Sequence, residues 1–147
     1  MSTTSHWGIT PRQSIEAECL RRGPAAVVAG CLRLITEDDG GDPGMILVLG
    51  GPAGRHFIGG PPRDDRYWLR VWGLRGLLWN WDDRAVPAVR TALADEAWRV
   101  REMAAKVAAR HLVGDALPEL AGLAADPTPR VRAAAARAIR LLTDAGA

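Results

Sequence analysis

The chain has 147 residues, 48% hydrophobic and 24% charged, with a formal net charge of +2; this composition suits one compact globular unit and excludes a disordered chain. No apolar run approaches the ~20 residues of a membrane span, and the N-terminal MSTTSHW lacks the basic and apolar regions of a signal peptide. Two cysteines, Cys19 and Cys31, are too few for a disulfide scaffold or a cysteine-based zinc site, which points to a reducing cytoplasm.

Taken in chain order, residues 1–10 read as a tail and 11–63 as a helical cap followed by a Gly-rich connection. Thr10-Pro11 caps a helix over 12–22, Gly23-Pro24 breaks it, and a second helix over 25–36 carries Val27, Cys31, Leu34 and Ile35 on one face. Residues 40–60 hold eight of the sixteen glycines around Met45-Ile-Leu-Val-Leu. That run predicts a short buried helix starting at Asp42-Pro43, with a strand as the alternative because it is apolar on every side. Gly50-Gly-Pro-Ala-Gly-Arg lacks the Gly-Lys-Ser/Thr ending of a phosphate loop and reads as loop structure.

From residue 64 onward the chain repeats itself. YWLRVWGLRGL from Tyr67, WRVREMAAKVA from Trp98 and PRVRAAAARAI from Pro129 align at an offset of 31 residues, with Asp64, Asp95 and Asp126 in register ahead of them. Positions 69, 72, 73, 76, 77 and 80, and their equivalents in the next two copies, draw one stripe down a helix. The segments 84–94 and 116–125 predict shorter helices, with Val86, Val89 and Leu93, then Leu117, Leu120 and Ala124 inward. Pro87 and Pro118 sit in first turns, Asp115 is a candidate N-cap, and Thr128-Pro129 opens the third long helix.

A helix pair of this length, with aspartate in the turn and Val-Arg opening the second helix, resembles the HEAT repeat, and the Ala-rich form resembles the HEAT-like repeats named after phycobilisome lyases. The resemblance covers roughly 64–143. It implies an all-α short solenoid of about three HEAT-like helix pairs (64–147) behind an irregular N-terminal helical cap, the second helices lining a concave face. It also implies that Arg70, Arg101 and Arg132 form a structural ladder with Asp64, Asp95 and Asp126.

No catalytic or metal constellation emerges, and no cofactor is expected. His6, His56 and His111 are scattered, the serines lie near the N-terminus, and Cys19 and Cys31 read as small core residues. His111 sits on the stripe and reads as a core or edge histidine. The candidate contact face lies beside the stripe: Trp68, Trp72, Arg75 and Trp79 share one side of their helix, followed in register by Arg99, Lys106 and Arg110, then Arg130 and Arg137. Acids avoid this face, and Glu102 reads as a solvent partner for Lys106 at i,i+4. The face is either the packed and solvated exterior of the stack, a groove for an acidic or aromatic protein segment, or a grip on a phosphate backbone.

The favoured reading is a non-enzymatic adaptor or regulatory module that binds another protein. The alternative is a nucleic-acid-binding solenoid resembling alkylation-repair DNA glycosylases. An enzyme such as a bilin lyase is third, resting on the repeat's name alone. No membrane partner is expected, and the Ala-rich surface at 131–142 is where a homo-oligomer would form through the C-terminal repeat.

Overall fold

The computed structural model describes residues 10–37, 42–58 and 64–146. The tail up to residue 9 and the parts of the Gly-rich connection at 38–41 and 59–63 lie outside them. The described residues form eight α-helices and four short 3-10 segments, in two compact units, Met1–Asp82 and Asp83–Ala147.

The first unit contains α1 (Pro11–Arg22), α2 (Pro24–Thr36), α3 (Pro43–Gly50), a 3-10 segment (Gly51–Phe57) and α4 (Tyr67–Trp79). Thr10 begins α1 with a reciprocal cap: its hydroxyl accepts from the Gln13 N–H at 3.1 Å, and the Gln13 amide oxygen accepts from the Thr10 N–H at 2.9 Å. Gly23, at φ 94°, ends α1 and leads into α2. Asp42 caps α3 by accepting from the Gly44 N–H at 2.8 Å, so the apolar run is a helix, and Met45, Ile46 and Leu49 are buried. Buried Glu18 ties these ends together. It accepts from Arg21 at 2.7 and 2.6 Å and from Arg22 at 2.5 Å, and Arg22 also reaches Asp42 at 2.8 Å. The Arg21 hydrogen bonds, helped by Arg22, outweigh burial and hold the Glu18 carboxyl below its usual range.

The short apolar helix α3 stands where the first helix of the first repeat is missing from the 31-residue register, yet α4 packs chiefly on α2. The reason is Gly73 and Gly76, one turn apart on α4. A Cβ at Gly73 would lie 2.7 Å from the Cys31 carbonyl oxygen, and one at Gly76 2.5 Å from the Cys31 Sγ. Gly73→Ala is therefore expected to destabilise the protein. Alanine's helix propensity returns at most about 1 kcal/mol, whereas overpacking against backbone costs about 1–3 kcal/mol. The urea midpoint should fall, while that of Gly122→Ala, with open space around the new methyl, should hold or rise.

The second unit contains two helix pairs, α5 (Val86–Ala92) with α6 (Trp98–Arg110) and α7 (Leu117–Gly122) with α8 (Pro129–Gly146). The stripe is the buried side of both long helices: Val100, Ala104, Val107 and Ala108 on α6, and Val131, Ala135, Ala138 and Leu142 on α8. The short helices depart from their expected register. Val89, Leu93 and Leu120 are buried, but Leu117 is 40% exposed and Ala124 is exposed; Ala85, Ala88, Ala92, Ala116 and Leu123 point inward instead. The 3-10 turns Asp83–Ala85, Gly114–Ala116 and Leu123–Ala125 flank these helices, and three residues per turn rotate the apolar face away from a pure 3.6-residue period. Asp115 lies inside one such turn and makes no capping bond.

Candidate functional site

Each turn between the helices of a pair is built the same way twice. The Asp95 carboxylate accepts from the Ala97 N–H at 2.9 Å, and the Asp126 carboxylate from the Thr128 N–H at 2.9 Å. Arg101 donates back to the Asp95 carbonyl at 2.7 Å, and Arg132 to the Asp126 carbonyl at 2.7 Å. The short polar side chain at the turn thus satisfies an N–H that opens the next helix, and the arginine satisfies a carbonyl left by the turn.

Arg101 does more than close its own turn. Its guanidinium also grips Asp126 of the following pair with two hydrogen bonds of 2.7 and 3.2 Å. Two further ion pairs cross between the helix pairs, Arg90 to Glu119 at 2.7 Å and Arg130 to Glu102 at 2.9 and 3.1 Å. Burial alone would raise the Asp126 pKa. The hydrogen bonds from Arg101 and the Thr128 N–H, with the charges of Arg101 and Arg132, outweigh it and hold the carboxyl below its ordinary range. In the first copy, Asp64 is exposed and Arg70 half-buried beside Leu34, Glu37, Arg66 and Leu69.

The contact-face residues divide. In the first unit, Trp72 is only 6% exposed, its ring edge-on to Phe57 with centroids 5.3 Å apart and close over Gly50. Trp72 is core, not contact surface. Trp68 and Trp79 are half-buried, Trp68 lying in a row with Tyr67 and Trp72. Arg75 is also drawn inward. It donates to the Leu49 carbonyl at the end of α3, its buried Nε has no hydrogen-bond partner among the described residues, and burial lowers its pKa. The negative end of α3 compensates part of that desolvation.

In the second unit, α6 and α8 bring the basic residues together. Lys106, Arg110, Arg130 and Arg137 are exposed and Arg99 is half-buried. Beside two of them, at the start of α6, is Trp98, which the column spaced four and three residues apart passed over. The guanidinium carbons of Arg99 and Arg130 lie 4.5 and 5.1 Å from its ring centroid, within cation–π range. This face also contains an acid. The Glu102 side chain is only 11% exposed, bound to Arg130 and 3.9 Å from Lys106. Its main partner comes from the next helix pair, so it is not the solvent-facing i,i+4 partner expected from sequence. The spacing Trp98, Glu102, Lys106, one residue in four, is the signal that would have found it.

No group of three His, Cys, Asp or Glu side chains among the described residues is placed to hold a metal ion, and no described helix is long and apolar enough to cross a membrane. Cys19 is half-buried and Cys31 buried; burial raises the Cys19 pKa and pushes the Cys31 thiol up to about 12. Both are thiols at neutral pH. In a thiol-disulfide reagent assay on folded protein, Cys31 should be unreactive and Cys19 slow, with both modified at once on adding denaturant.

No curated protein and no solved structure matches the chain. The family model for HEAT repeats matches residues 63–140, more than half of the chain, spanning α4 to most of α8. The repeated aspartate turns, the Arg101 guanidinium that joins one turn to the next, and this match lead to one conclusion: the chain belongs to the HEAT-repeat family.

Proposed function

We propose that the chain is a non-enzymatic protein-binding module, and that the α6–α8 face of its second unit holds an acidic, aromatic-containing segment of another protein. The observation that carries this reading is Trp98, half-buried between Arg99 and Arg130, with exposed Lys106, Arg110 and Arg137 on the same two helices. A rigid aromatic anchor rimmed by cations suits an acidic peptide. Trp68 and Trp79 are candidate contacts on the first unit. Trp72 and Arg75 are left out because they are packed inside it. A phosphate backbone is the competing ligand, since it would use the same cations.

An array of acidic, aromatic-containing peptides probed with the full chain tests the proposal. Peptides bound by the wild type should be lost with Trp98→Ala and weakened severalfold with Arg137→Glu, with only modest dependence on salt. Retention of the same peptides by Trp98→Ala would contradict it.

A further inference from the structure

On the α6–α8 face the acid and its main partner are unequally covered. The Glu102 side chain is only 11% exposed, whereas that of Arg130 is 61% exposed. The carboxylate is therefore the inner group and the guanidinium the outer one. Two bonds join them: the Arg130 Nε donates to one Glu102 oxygen at 2.9 Å, and Nη2 donates to the other at 3.1 Å. A guanidinium carries five N–H donors in one rigid plane, and this contact takes one from Nε and one from Nη2. The two on Nη1 and the second on Nη2 make no hydrogen bond among the described residues. The guanidinium carbon also lies 5.1 Å from the Trp98 ring centroid. Arg130 is thus held at two points, with its Nη1–Nη2 edge unused.

We infer that Glu102 is a positioning residue for binding: it holds Arg130 so that the Nη1–Nη2 edge takes a carboxylate of the partner between two donors. The inference rests on the peptide-binding reading of the α6–α8 face and adds the chemical group that Arg130 receives. A free surface arginine loses rotamer freedom when it binds. Here that ordering is already made within the fold, because a covered carboxylate on the neighbouring helix fixes the guanidinium. A carboxylate, flat and carrying two acceptor oxygens, matches the remaining edge. Arg130 and Lys106, the latter 3.9 Å from Glu102, together outweigh the single negative charge of Glu102, so the face still attracts an acid.

The test is Glu102→Gln, for which positioning and plain electrostatics predict opposite signs. Removing a negative charge from a basic face should by itself tighten an acidic peptide. Loss of positioning should weaken it, by roughly two- to tenfold, the range set by ordering one long side chain at an interface. Calorimetric titration of the full chain with array-selected peptides reads the sign, and circular dichroism at the same temperature shows that the variant is folded. Arg130→Lys keeps a counter-ion for Glu102 but lacks the fork. It should also bind more weakly, and adding Glu102→Gln to it should weaken binding no further. On the peptide, changing one Asp or Glu to its amide should abolish the difference between wild type and Glu102→Gln; if amidating the C-terminus does so instead, the carboxylate received is the terminal one. Equal or tighter binding by Glu102→Gln, or undiminished binding by Arg130→Lys, of peptides that still require Trp98 would overturn the inference and leave the peptide-binding reading standing. Failure of every peptide to bind the wild type would overturn both.

Discussion

Asp126→Ala is expected to lower the melting temperature by roughly 10 °C, the largest single effect in the second unit. The substitution leaves the Arg101 guanidinium, whose side chain is only 14% exposed, facing an empty site, and it frees the Thr128 N–H. Breaking a buried pair from one side costs about 3–5 kcal/mol. Arg101 keeps its bonds to the Asp95 and Glu96 carbonyls, so the lower end applies, and for a chain of this size about 3 kcal/mol corresponds to that shift. Asp126→Asn, which keeps an acceptor for Thr128 but not the charge, should fall about midway. The pH dependence follows from the sign of the shift. The folded pKa of Asp126 lies below the ordinary 3.8, so the native state binds fewer protons there than the unfolded chain. The carboxylate's contribution is complete above that value and is lost as pH falls through the folded pKa. Wild type should therefore lose stability on acidification more steeply than Asp126→Ala. Equal acid slopes would mean that the Arg101 pair contributes nothing.

Trp72→Ala is expected to cost about 3–5 kcal/mol, the usual range for removing a buried large aromatic. The ring packs on Phe57 and fills the space that Gly50 leaves, so its loss opens a cavity between α3 and α4. Trp98→Ala, at a half-buried site flanked by two arginines, should cost less than half as much. Chemical denaturation of the two variants compares them directly. Equal losses would place Trp98 in the core with Trp72 and remove the aromatic anchor from the binding face.

What was legible in the sequence is what repeats locally. The stripe at 100, 104, 107 and 108 follows from helical period, and the Asp95 and Asp126 turns are spelled by the same residues at the same spacing. Positions beside the stripe were not legible, because a neighbouring element decides their burial. Trp72 lies on the stripe, so its burial was legible in the period, but Arg75 turns inward only because α3, fixed by the Asp42 cap, lies against it. Glu102 illustrates the same limit on α6. Its i,i+4 lysine could be read from the chain, but the stronger partner, Arg130, is 28 residues away and depends on how the two pairs stack. The exposed Leu117 shows a second cause, since a single 3-10 turn shifts the face of a six-residue helix.

The measurement that bears most directly on the central claim is a tryptophan-fluorescence titration at two salt concentrations, with a peptide taken from the array alongside single- and double-stranded oligonucleotides. The protein-binding reading predicts a saturable change with the peptide that persists at the higher salt and disappears in Trp98→Ala. It predicts no comparable change with either oligonucleotide at low salt, where sequence-independent binding is strongest. Quenching by oligonucleotides that weakens steeply with salt, and is reduced by Arg137→Glu for all sequences alike, would contradict it and assign the α6–α8 face to a nucleic-acid backbone.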